Sequence, residues 1–130
     1  MLETRANKNG YEYPDVDEQC PAGNQHVCDG PDSIVTELDV AAICDVFNSD
    51  PPGDDLQAQI SCNAGLYLCE YIYYTSLYHG RPTLFVHVPL SKYTSEQLAQ
   101  GLERILELCL KQLFEADSYS NCFWSVKAFK

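Results

Sequence analysis

Five predicted elements, in the order helix, strand, helix, strand, helix, constrain the fold of this chain more than any other feature of its sequence. The clearest strand spans residues 83–88, where Leu84, Val86 and Val88 would share one face. A shorter strand is predicted over residues 56–62. Strands that alternate with helices are typical of an α/β layer with parallel strands, connected by a right-handed crossover. We therefore predict an α/β fold.

The predicted helices have recognisable ends. Asp39 is a good N-cap for a helix over residues 40–47. The second helix ends before Gly80, which has the position after a helix where glycine is favoured. Thr94 begins the third helix, and Gln97 is placed to complete a capping box with it. A wide apolar stripe on this third helix must pack on a sheet. The stripe consists of Leu98, Leu102, Ile105, Leu106, Cys109, Leu113 and Phe114.

Two strands alone do not form a stable sheet, and a parallel sheet needs cover on both faces. Residues 1–31 are polar, acidic and rich in turn-forming residues, so we expect loops and short edge strands there. Further strands are expected from this region, from a partner or second copy, or from chain that this sequence lacks. We predict one incomplete domain over residues 1–130, with a loop-rich acidic segment (1–38), an α/β part (39–116) and a tail (117–130).

The formal net charge of −11 argues against functions that depend on a basic surface. Nucleic-acid-binding proteins and proteins that bind anionic membranes both need clustered lysine and arginine. No apolar run reaches the roughly 20 residues of a membrane span. The seven cysteines, without a secretion signal at the start, indicate reduced thiols and a cytosolic location. We expect neither a nucleic acid nor a membrane as a partner.

Cys69 and His87 are the residues best suited to chemistry. Cys69 lies on the helix after the first strand, and His87 lies near the carboxyl end of the second. In a parallel βαβ unit both positions open on one edge of the sheet, where α/β folds place their sites. A histidine beside a thiol can take its proton and later protonate a leaving amine. Both residues also have a bland interpretation, because cysteine is commonly a core residue and a strand histidine is commonly structural.

The start of the second helix decides how strongly the helix acts on the thiol of Cys69. If Asn63 is the N-cap, Cys69 falls in the second turn and the effect of the helix dipole is weak. If Gly65 stays in the loop, Cys69 falls in the first turn, where backbone N–H groups favour a thiolate and can bind an oxyanion. The sequence leaves both alternatives open.

Two motifs of this chain resemble those of the pyroglutamyl-peptidase I family. The first is Ser-Cys-Asn-Ala-Gly-Leu-Tyr-Leu-Cys-Glu at residues 61–70, and it resembles the nucleophile motif, in which Ala-Gly and three more residues precede the reactive cysteine. The second is Phe-Val-His-Val-Pro at residues 85–89, and it resembles the histidine motif. Segments 2–3 and 29–33 also look like family segments, so the resemblance covers residues 2–114.

The resemblance implies a cysteine peptidase that removes an N-terminal pyroglutamyl residue from peptides, through thiolate attack and hydrolysis of a thioester. It implies Cys69 as the nucleophile, His87 as the general acid and base, and Glu3 as the residue that orients the imidazole. It implies no metal or organic cofactor. The implied fold has three layers, αβα, with a mostly parallel sheet, and this chain matches its C-terminal part.

One alternative is a catalytically inactive paralogue that serves as a structural or interaction protein. Four tyrosines lie three or four residues apart and share one stripe of the second helix. They are Tyr67, Tyr71, Tyr74 and Tyr78. Such a stripe is commonly core, but an uncovered one would form an interface for a second copy or a partner.

The other alternative is a metal-binding module with Cys20, His26 and Cys28 as ligands. Zinc prefers these ligand types, but the paired C-x-x-C spacing and a clear fourth ligand are absent from the sequence. His79 has a structural interpretation, as a helix-end residue that meets the dipole.

Overall fold

A computed structural model describes residues 1–127 of the chain, and it describes the side chains of residues 1–116. Five short strands and three helices follow one another in the order β1, β2, β3, α1, β4, α2, β5, α3, with a 3₁₀ turn between β2 and β3. Their bounds are β1 Leu2–Glu3, β2 Arg5–Asn7, the 3₁₀ turn Ala22–Asn24, β3 Ser33–Val35, α1 Val40–Ser49, β4 Ile60–Ser61, α2 Leu68–Tyr78, β5 Phe85–Val86 and α3 Ser95–Lys127.

The α/β fold is confirmed, but the topology of the main sheet differs from the predicted one. Its strand order is β4-β1-β5, with β1 parallel to β4 and antiparallel to β5. β4 and β5 therefore run antiparallel to each other, and the prediction that these two strands are parallel and joined by a right-handed crossover is wrong. The physical reason is the insertion of Leu2–Glu3 between them, because a strand of two residues has no periodicity that a sequence could reveal.

Three sources of further strands were expected, and one of them, the acidic N-terminal region, does supply strands. It contributes β1 to the main sheet, and β2 and β3 pair antiparallel in a second sheet of two strands. Both predicted strands of the α/β part are shorter than expected. Residues 56–62 contain only β4, and residues 83–88 contain only β5. The helix α3 runs through the predicted tail as far as Lys127, and residues 128–130 lie outside the described residues.

The helices α1 and α3 begin where their capping residues predict. The Asp39 carboxylate accepts a hydrogen bond from Ala42 N at 2.9 Å, so Asp39 caps α1 as predicted. Thr94 and Gln97 form the predicted capping box, in which each side chain binds the backbone N–H of the other, at 2.9 and 3.2 Å. Gly80 follows α2 with a φ of +65°, the left-handed conformation that glycine adopts most easily.

Two apolar clusters cover the two faces of the main sheet and give three layers. One cluster joins Leu2 of β1 to the buried faces of α1 and α3, and Val86 of β5 packs against it. The other cluster joins α2 to β2, with Tyr73 at its centre and Phe85 packed against it. Val86 and Phe85 are neighbours in β5 and point to opposite faces, as strand geometry requires. Among the described residues, no helix has the length and apolar character needed to cross a membrane.

Candidate active site

Glu3 and His87 are brought together by the antiparallel pairing of β1 with β5. Glu3 lies opposite Phe85 in the register, so His87, two residues further along, is its diagonal neighbour on the same face. The Nδ1 atom of His87 lies 2.8 Å from Oε1 of Glu3. Backbone hydrogen bonds between His87 and Met1, at 2.6 and 2.9 Å, extend the pairing beyond the strand and hold the imidazole beside the carboxylate.

This contact determines which nitrogen of the imidazole is available for chemistry. A carboxylate accepts hydrogen bonds, so Nδ1 carries the proton that it donates to Glu3. In the neutral ring, Nε2 is then the acceptor, and it makes no hydrogen bond within residues 1–116. The His87 side chain is 36% exposed, whereas Glu3 is fully buried. The arrangement gives His87 a fixed tautomer with its basic nitrogen accessible.

The carboxylate of Glu3 is held at an energetic cost. Its Oε2 atom is buried and has no hydrogen-bond partner among the described residues, so His87 alone compensates the side chain. A buried carboxylate with one unsatisfied oxygen is costly to desolvate. Such an arrangement is typical of residues kept for function, because an apolar side chain would pack there more favourably.

Cys69 lies in the first turn of α2, which decides between the two sequence-based alternatives. The N-cap of α2 is Tyr67, with an extended backbone, and the helix begins at Leu68. Asn63 is therefore not the N-cap. It makes a turn within the preceding loop, where its Oδ1 atom accepts a hydrogen bond from Gly65 N at 3.0 Å. Within residues 1–116 no side chain caps α2, so the N–H groups of its first turn have no partner from that part of the chain.

The structure does not join Cys69 to His87 by a hydrogen bond. Among residues 1–116 the half-buried thiol of Cys69 has no hydrogen-bond partner, and His87 bonds through Nδ1 to Glu3. The helix of Cys69 is nevertheless tied to the strand of Glu3, since the Tyr73 hydroxyl donates to the main-chain oxygen of Glu3 at 2.8 Å. The carboxylate and imidazole are thus assembled, and the thiol lies on an element anchored to them.

Glu70, the residue after Cys69, belongs to the site and was missed by the sequence analysis. Its side chain is fully buried, and its carboxylate accepts three hydrogen bonds. Two come to Oε1 from the backbone and side-chain amides of Asn7, at 2.8 and 2.6 Å, and one comes to Oε2 from Leu66 N at 2.7 Å. A charged residue next to a candidate nucleophile, on the buried side of a helix, was the available signal.

A cavity of about 310 Å³ opens beside the start of α2. Tyrosines dominate its wall, together with the side chain that immediately precedes Cys69. The lining residues are Tyr11, Tyr13, Asp15, Gln19, Cys20, Pro21, Tyr67, Leu68 and Tyr71. Burial, followed by the charge of Glu70, raises the pKa of Tyr11, so this phenol stays protonated at neutral pH. The cavity therefore offers aromatic surface and a few polar groups beside the first turn of α2, and Cys69 itself is not among its lining residues.

A second cavity of similar size, about 310 Å³, lies beside the imidazole. Its wall includes His87, Gln57, Gln59 and Lys92, and the cavity is open to solvent. Water and small solutes can therefore approach the ring of His87 from this side.

His26 has a structural role that makes it unsuitable as a metal ligand. Its Nε2 atom lies 2.7 Å from the Thr75 hydroxyl oxygen, and its Nδ1 atom accepts the backbone N–H of Cys28 at 3.1 Å. The ring packs on Tyr71 and Tyr74, with centroids 4.2 and 4.8 Å apart. Among the residues with described side chains, no group of three or more His, Cys, Asp or Glu could hold a metal ion.

The N-terminal segment covers the middle of the tyrosine stripe of α2. Tyr74 is fully buried and Tyr71 is half-buried, whereas Tyr67 and Tyr78 at the two ends are 36% and 41% exposed. Tyr11 also packs edge-on against Tyr71. The stripe is therefore mainly core, and only its ends are accessible.

Comparison with known proteins relates these elements to one family. Residues 4–116 match the family described as pyroglutamyl peptidase. Pyroglutamyl-peptidase 1 from Rattus norvegicus is 40% identical over 124 residues, which make up 93% of this chain and 58% of that protein. Pyroglutamyl-peptidase 1 from Homo sapiens is also 40% identical over 124 residues, which cover 92% of this chain and 58% of the relative. The chain thus spans less than two thirds of the length of these relatives.

Solved structures extend the similarity to the fold. A mutant pyrrolidone carboxyl peptidase from Pyrococcus furiosus superposes with a TM-score of 0.70 at 25% identity, covering 86% of this chain and 62% of that one. The pyrrolidone carboxyl peptidase from Fervidobacterium islandicum superposes with a TM-score of 0.60 at 26% identity, with 88% and 62% covered. The arrangement of helices and strands described above is therefore shared with these peptidases.

Proposed function

The chain belongs to the pyroglutamyl peptidase family, and on that premise we propose that it is a cysteine peptidase that removes pyroglutamate from the N-terminus of peptides. The observation that carries the proposal is the 2.8 Å contact between His87 Nδ1 and Glu3 Oε1. This contact prepares His87 Nε2 to accept a proton and stabilises the imidazolium that results. Cys69, in the first turn of α2, is the nucleophile of the proposed reaction.

In the first step, His87 Nε2 takes the proton of the Cys69 thiol, and the sulfur attacks the carbonyl carbon between pyroglutamate and the next residue. Hydrogen bonds at catalytic sites commonly tighten only when substrate is bound, so Cys69 and His87 need not touch beforehand. The carbonyl electron pair moves onto its oxygen. The unpaired N–H groups at the start of α2 stabilise that oxyanion.

The tetrahedral intermediate then collapses. The carbon–nitrogen bond breaks, the departing amine takes the proton from His87, and a thioester joins the pyroglutamyl group to Cys69. Water next gives a proton to His87 and adds its oxygen to the thioester carbonyl. The carbon–sulfur bond breaks, and the thiolate recovers a proton as pyroglutamic acid leaves. Glu3 balances the positive charge of the imidazolium in both halves of the reaction.

The cavity beside α2 is the proposed place for the pyroglutamyl ring. That ring is a neutral lactam with one N–H donor and one carbonyl acceptor, and aromatic walls with a few polar groups suit such a ligand. Leu68 lines the cavity and directly precedes Cys69, and this proximity along α2 supports the choice of this cavity. We propose a cytosolic location, because the thiol must stay reduced for the reaction.

Cleavage of a pyroglutamyl amide that releases a fluorescent amine tests the proposal. The unmodified chain should release the fluorophore, whereas Cys69→Ala should not, since it lacks the nucleophile. The matched control is Cys62→Ala, because Cys62 is exposed and the hydrogen bond it accepts from Arg5 goes to its main-chain oxygen. Activity that survives Cys69→Ala would show that Cys69 is not the nucleophile. An equal loss of activity in Cys62→Ala would show that the loss is not specific to Cys69.

A non-catalytic interaction protein is the second candidate, and one surface favours it. Leu102, Leu106 and Leu110 follow one another every four residues along α3 and are 42%, 58% and 42% exposed. An apolar row of this kind is typical of a surface that binds a partner or a second copy. Light scattering distinguishes the two candidates. An oligomer without turnover, dispersed by Leu106→Glu, supports the interaction protein, whereas a monomer with turnover contradicts it.

A further inference from the structure

Glu70 is the least expected residue of the site, because it is a charged side chain enclosed in the core. It is fully buried, yet it pairs with no lysine, arginine or histidine within the described residues. Its partners are three amide N–H donors, from Asn7 and Leu66. Both oxygens of the Glu70 carboxylate are thus hydrogen-bonded by uncharged donors. Glu70 therefore connects Asn7, at the end of β2, to Leu66, in the loop before α2.

Of the two residues that bind Glu70, Leu66 has the less favourable backbone conformation. Its φ is +50°, in the left-handed region that a branched side chain rarely adopts. The hydrogen bond from Leu66 N to Glu70 Oε2, at 2.7 Å, holds the backbone in this conformation. The Leu66 side chain also packs close to Gly10, on the N-terminal segment. Glu70 thus compensates a local strain in the loop that leads into α2.

The conformation of Leu66 determines where α2 begins. Leu66 directly precedes the N-cap Tyr67, and Cys69 follows within the first turn. A change at Leu66 would move the N–H groups of that turn together with the thiol. Asn7, the other partner, ends β2 and fixes the loop to the N-terminal part of the chain. Through these two contacts Glu70 sets the position of the candidate nucleophile relative to the rest of the site.

We propose that Glu70 is a positioning residue for the reaction, one that holds Leu66 and Asn7 so that Cys69 and the start of α2 keep a single orientation. This inference rests on the proposed peptidase function. It assigns Glu70 no contact with substrate and no proton transfer. A displacement of about 1 Å can cost on the order of a hundredfold in rate. Loss of the hydrogen bonds from Leu66 and Asn7 to Glu70 should therefore lower kcat.

The variant Glu70→Gln tests this proposal, because Gln has the same shape but only one acceptor oxygen. Its amide nitrogen would face either Leu66 N–H or the Asn7 donors. The hydrogen bonds of Glu70 to one of these two residues (together, the Glu70 clamp) are then lost. We expect kcat on a pyroglutamyl amide to fall by on the order of a hundredfold, with KM nearly unchanged. The double variant Glu70→Gln with Leu66→Gly should recover part of kcat, because glycine adopts a positive φ without strain.

Alkylation of Cys69 by iodoacetamide, followed by mass spectrometry with Cys62 as internal reference, gives a readout that needs no turnover. The positioning role predicts slower alkylation of Cys69 in Glu70→Gln, because the thiolate loses ordered N–H groups. A role of the Glu70 charge alone predicts faster alkylation, since a negative charge beside the thiol is removed. Faster alkylation, or unchanged alkylation together with unchanged kcat, overturns the proposal.

The two readouts separate this proposal from the proposed function. Slower alkylation in Glu70→Gln, in a chain that shows no turnover before substitution, supports the positioning role and contradicts the peptidase function. Turnover that is equal in both chains contradicts the positioning role alone. If Glu70→Gln does not fold, Asn7→Ala removes a single donor of the clamp and leaves the carboxylate in place. A fall in kcat then supports the proposal, and an unchanged kcat overturns it.

Discussion

Tyr73 donates its hydroxyl hydrogen to the main-chain oxygen of Glu3 across 2.8 Å, and both residues are fully buried. Tyr73 and Cys69 are four residues apart in α2 and therefore lie on the same face of the helix. The face that carries the thiol is thus the face anchored to the strand of Glu3. Burial raises the pKa of Tyr73 to about 12, so its hydroxyl remains a donor at neutral pH.

Replacement of this hydroxyl gives the first prediction. Tyr73→Phe removes a buried hydrogen bond to the main-chain oxygen of Glu3, so the free energy of unfolding should fall by about 1 kcal/mol. Turnover should fall as well, because α2 is no longer tied to β1. Urea denaturation measures the first effect, with Tyr13→Phe as the control, since Tyr13 is 67% exposed. Equal stability of the two variants would contradict a stabilising role for the Tyr73 hydroxyl.

A second prediction concerns Glu3, for which activity and stability should separate. Glu3→Gln keeps an acceptor for His87 Nδ1 but removes the charge that stabilises the imidazolium, so kcat should fall by about a hundredfold or more. The free energy of unfolding should change little or rise, because the buried carboxylate has one unsatisfied oxygen.

Steady-state kinetics and urea denaturation of the same Glu3→Gln preparation measure both effects. Glu103→Gln is the matched control, since Glu103 is exposed on α3 and should alter neither quantity. A large loss of stability in Glu3→Gln would mean that the contact between Glu3 and His87 serves the fold more than the chemistry.

A third prediction is that the free energy of unfolding depends on pH through the buried side chain of His26. Burial, and then the charge of Lys8, lower the pKa of His26 in the folded chain. Below the ordinary histidine value of about 6.5, the unfolded chain therefore binds a proton that the folded chain rejects. The free energy of unfolding should be highest above that value and should fall as the pH drops through it.

Urea denaturation at about pH 7.5 and about pH 5.5, on either side of the ordinary histidine pKa, measures this dependence. His26→Asn should reduce it, because Asn cannot titrate and its side-chain oxygen can still accept the N–H of Cys28. His79→Asn is the control, since His79 is exposed at the end of α2. An identical pH dependence in both variants would assign the effect to other groups.

The capping box of α3 gives a fourth prediction. Thr94→Ala removes the side-chain oxygen that binds Gln97 N, which should lower the free energy of unfolding by about 1 kcal/mol. Ser91→Ala, at an exposed position before the helix, should leave stability nearly unchanged. Thermal unfolding followed by circular dichroism compares the two. A loss in Ser91→Ala as large as that in Thr94→Ala would remove the capping explanation.

Local signals in the sequence predicted the helices well. The side chains of Asp39, Thr94 and Gln97 make the capping contacts expected of them, and Gly80 has the expected left-handed backbone. Each of these features depends on residues within one or two turns, so the sequence contains all the information required. Ile105 and Cys109 of the predicted apolar stripe of α3 are buried, and Leu113 packs against them. The prediction is wrong for Leu102, Leu106 and Phe114, which are exposed because the stripe is wider than the face that packs in the core.

Features that depend on distant residues were not predictable from the sequence alone. The two-residue strand β1 has no pattern, and its position between β4 and β5 follows only from the folded sheet. The resemblance to a known family, rather than spacing, pointed to Glu3 as the partner of His87. Glu70 was missed because its donors on Asn7 lie 63 residues away along the chain. Whether its carboxylate finds hydrogen-bond donors therefore depends on the tertiary structure. The predicted partnership of Cys69 with His87 remains a prediction.

The central place of β1 in its sheet has a consequence for how the chain acquires a functional site. The contact between Glu3 and His87 joins residues 84 positions apart, so its closure has a high loop-entropy cost and is expected to follow the local contacts of the helices. Partly folded forms, even with every helix in place, would lack an oriented imidazole. During refolding, the contact between Glu3 and His87 would therefore form later than the helices. The delay between the two events would measure how long the sheet takes to assemble.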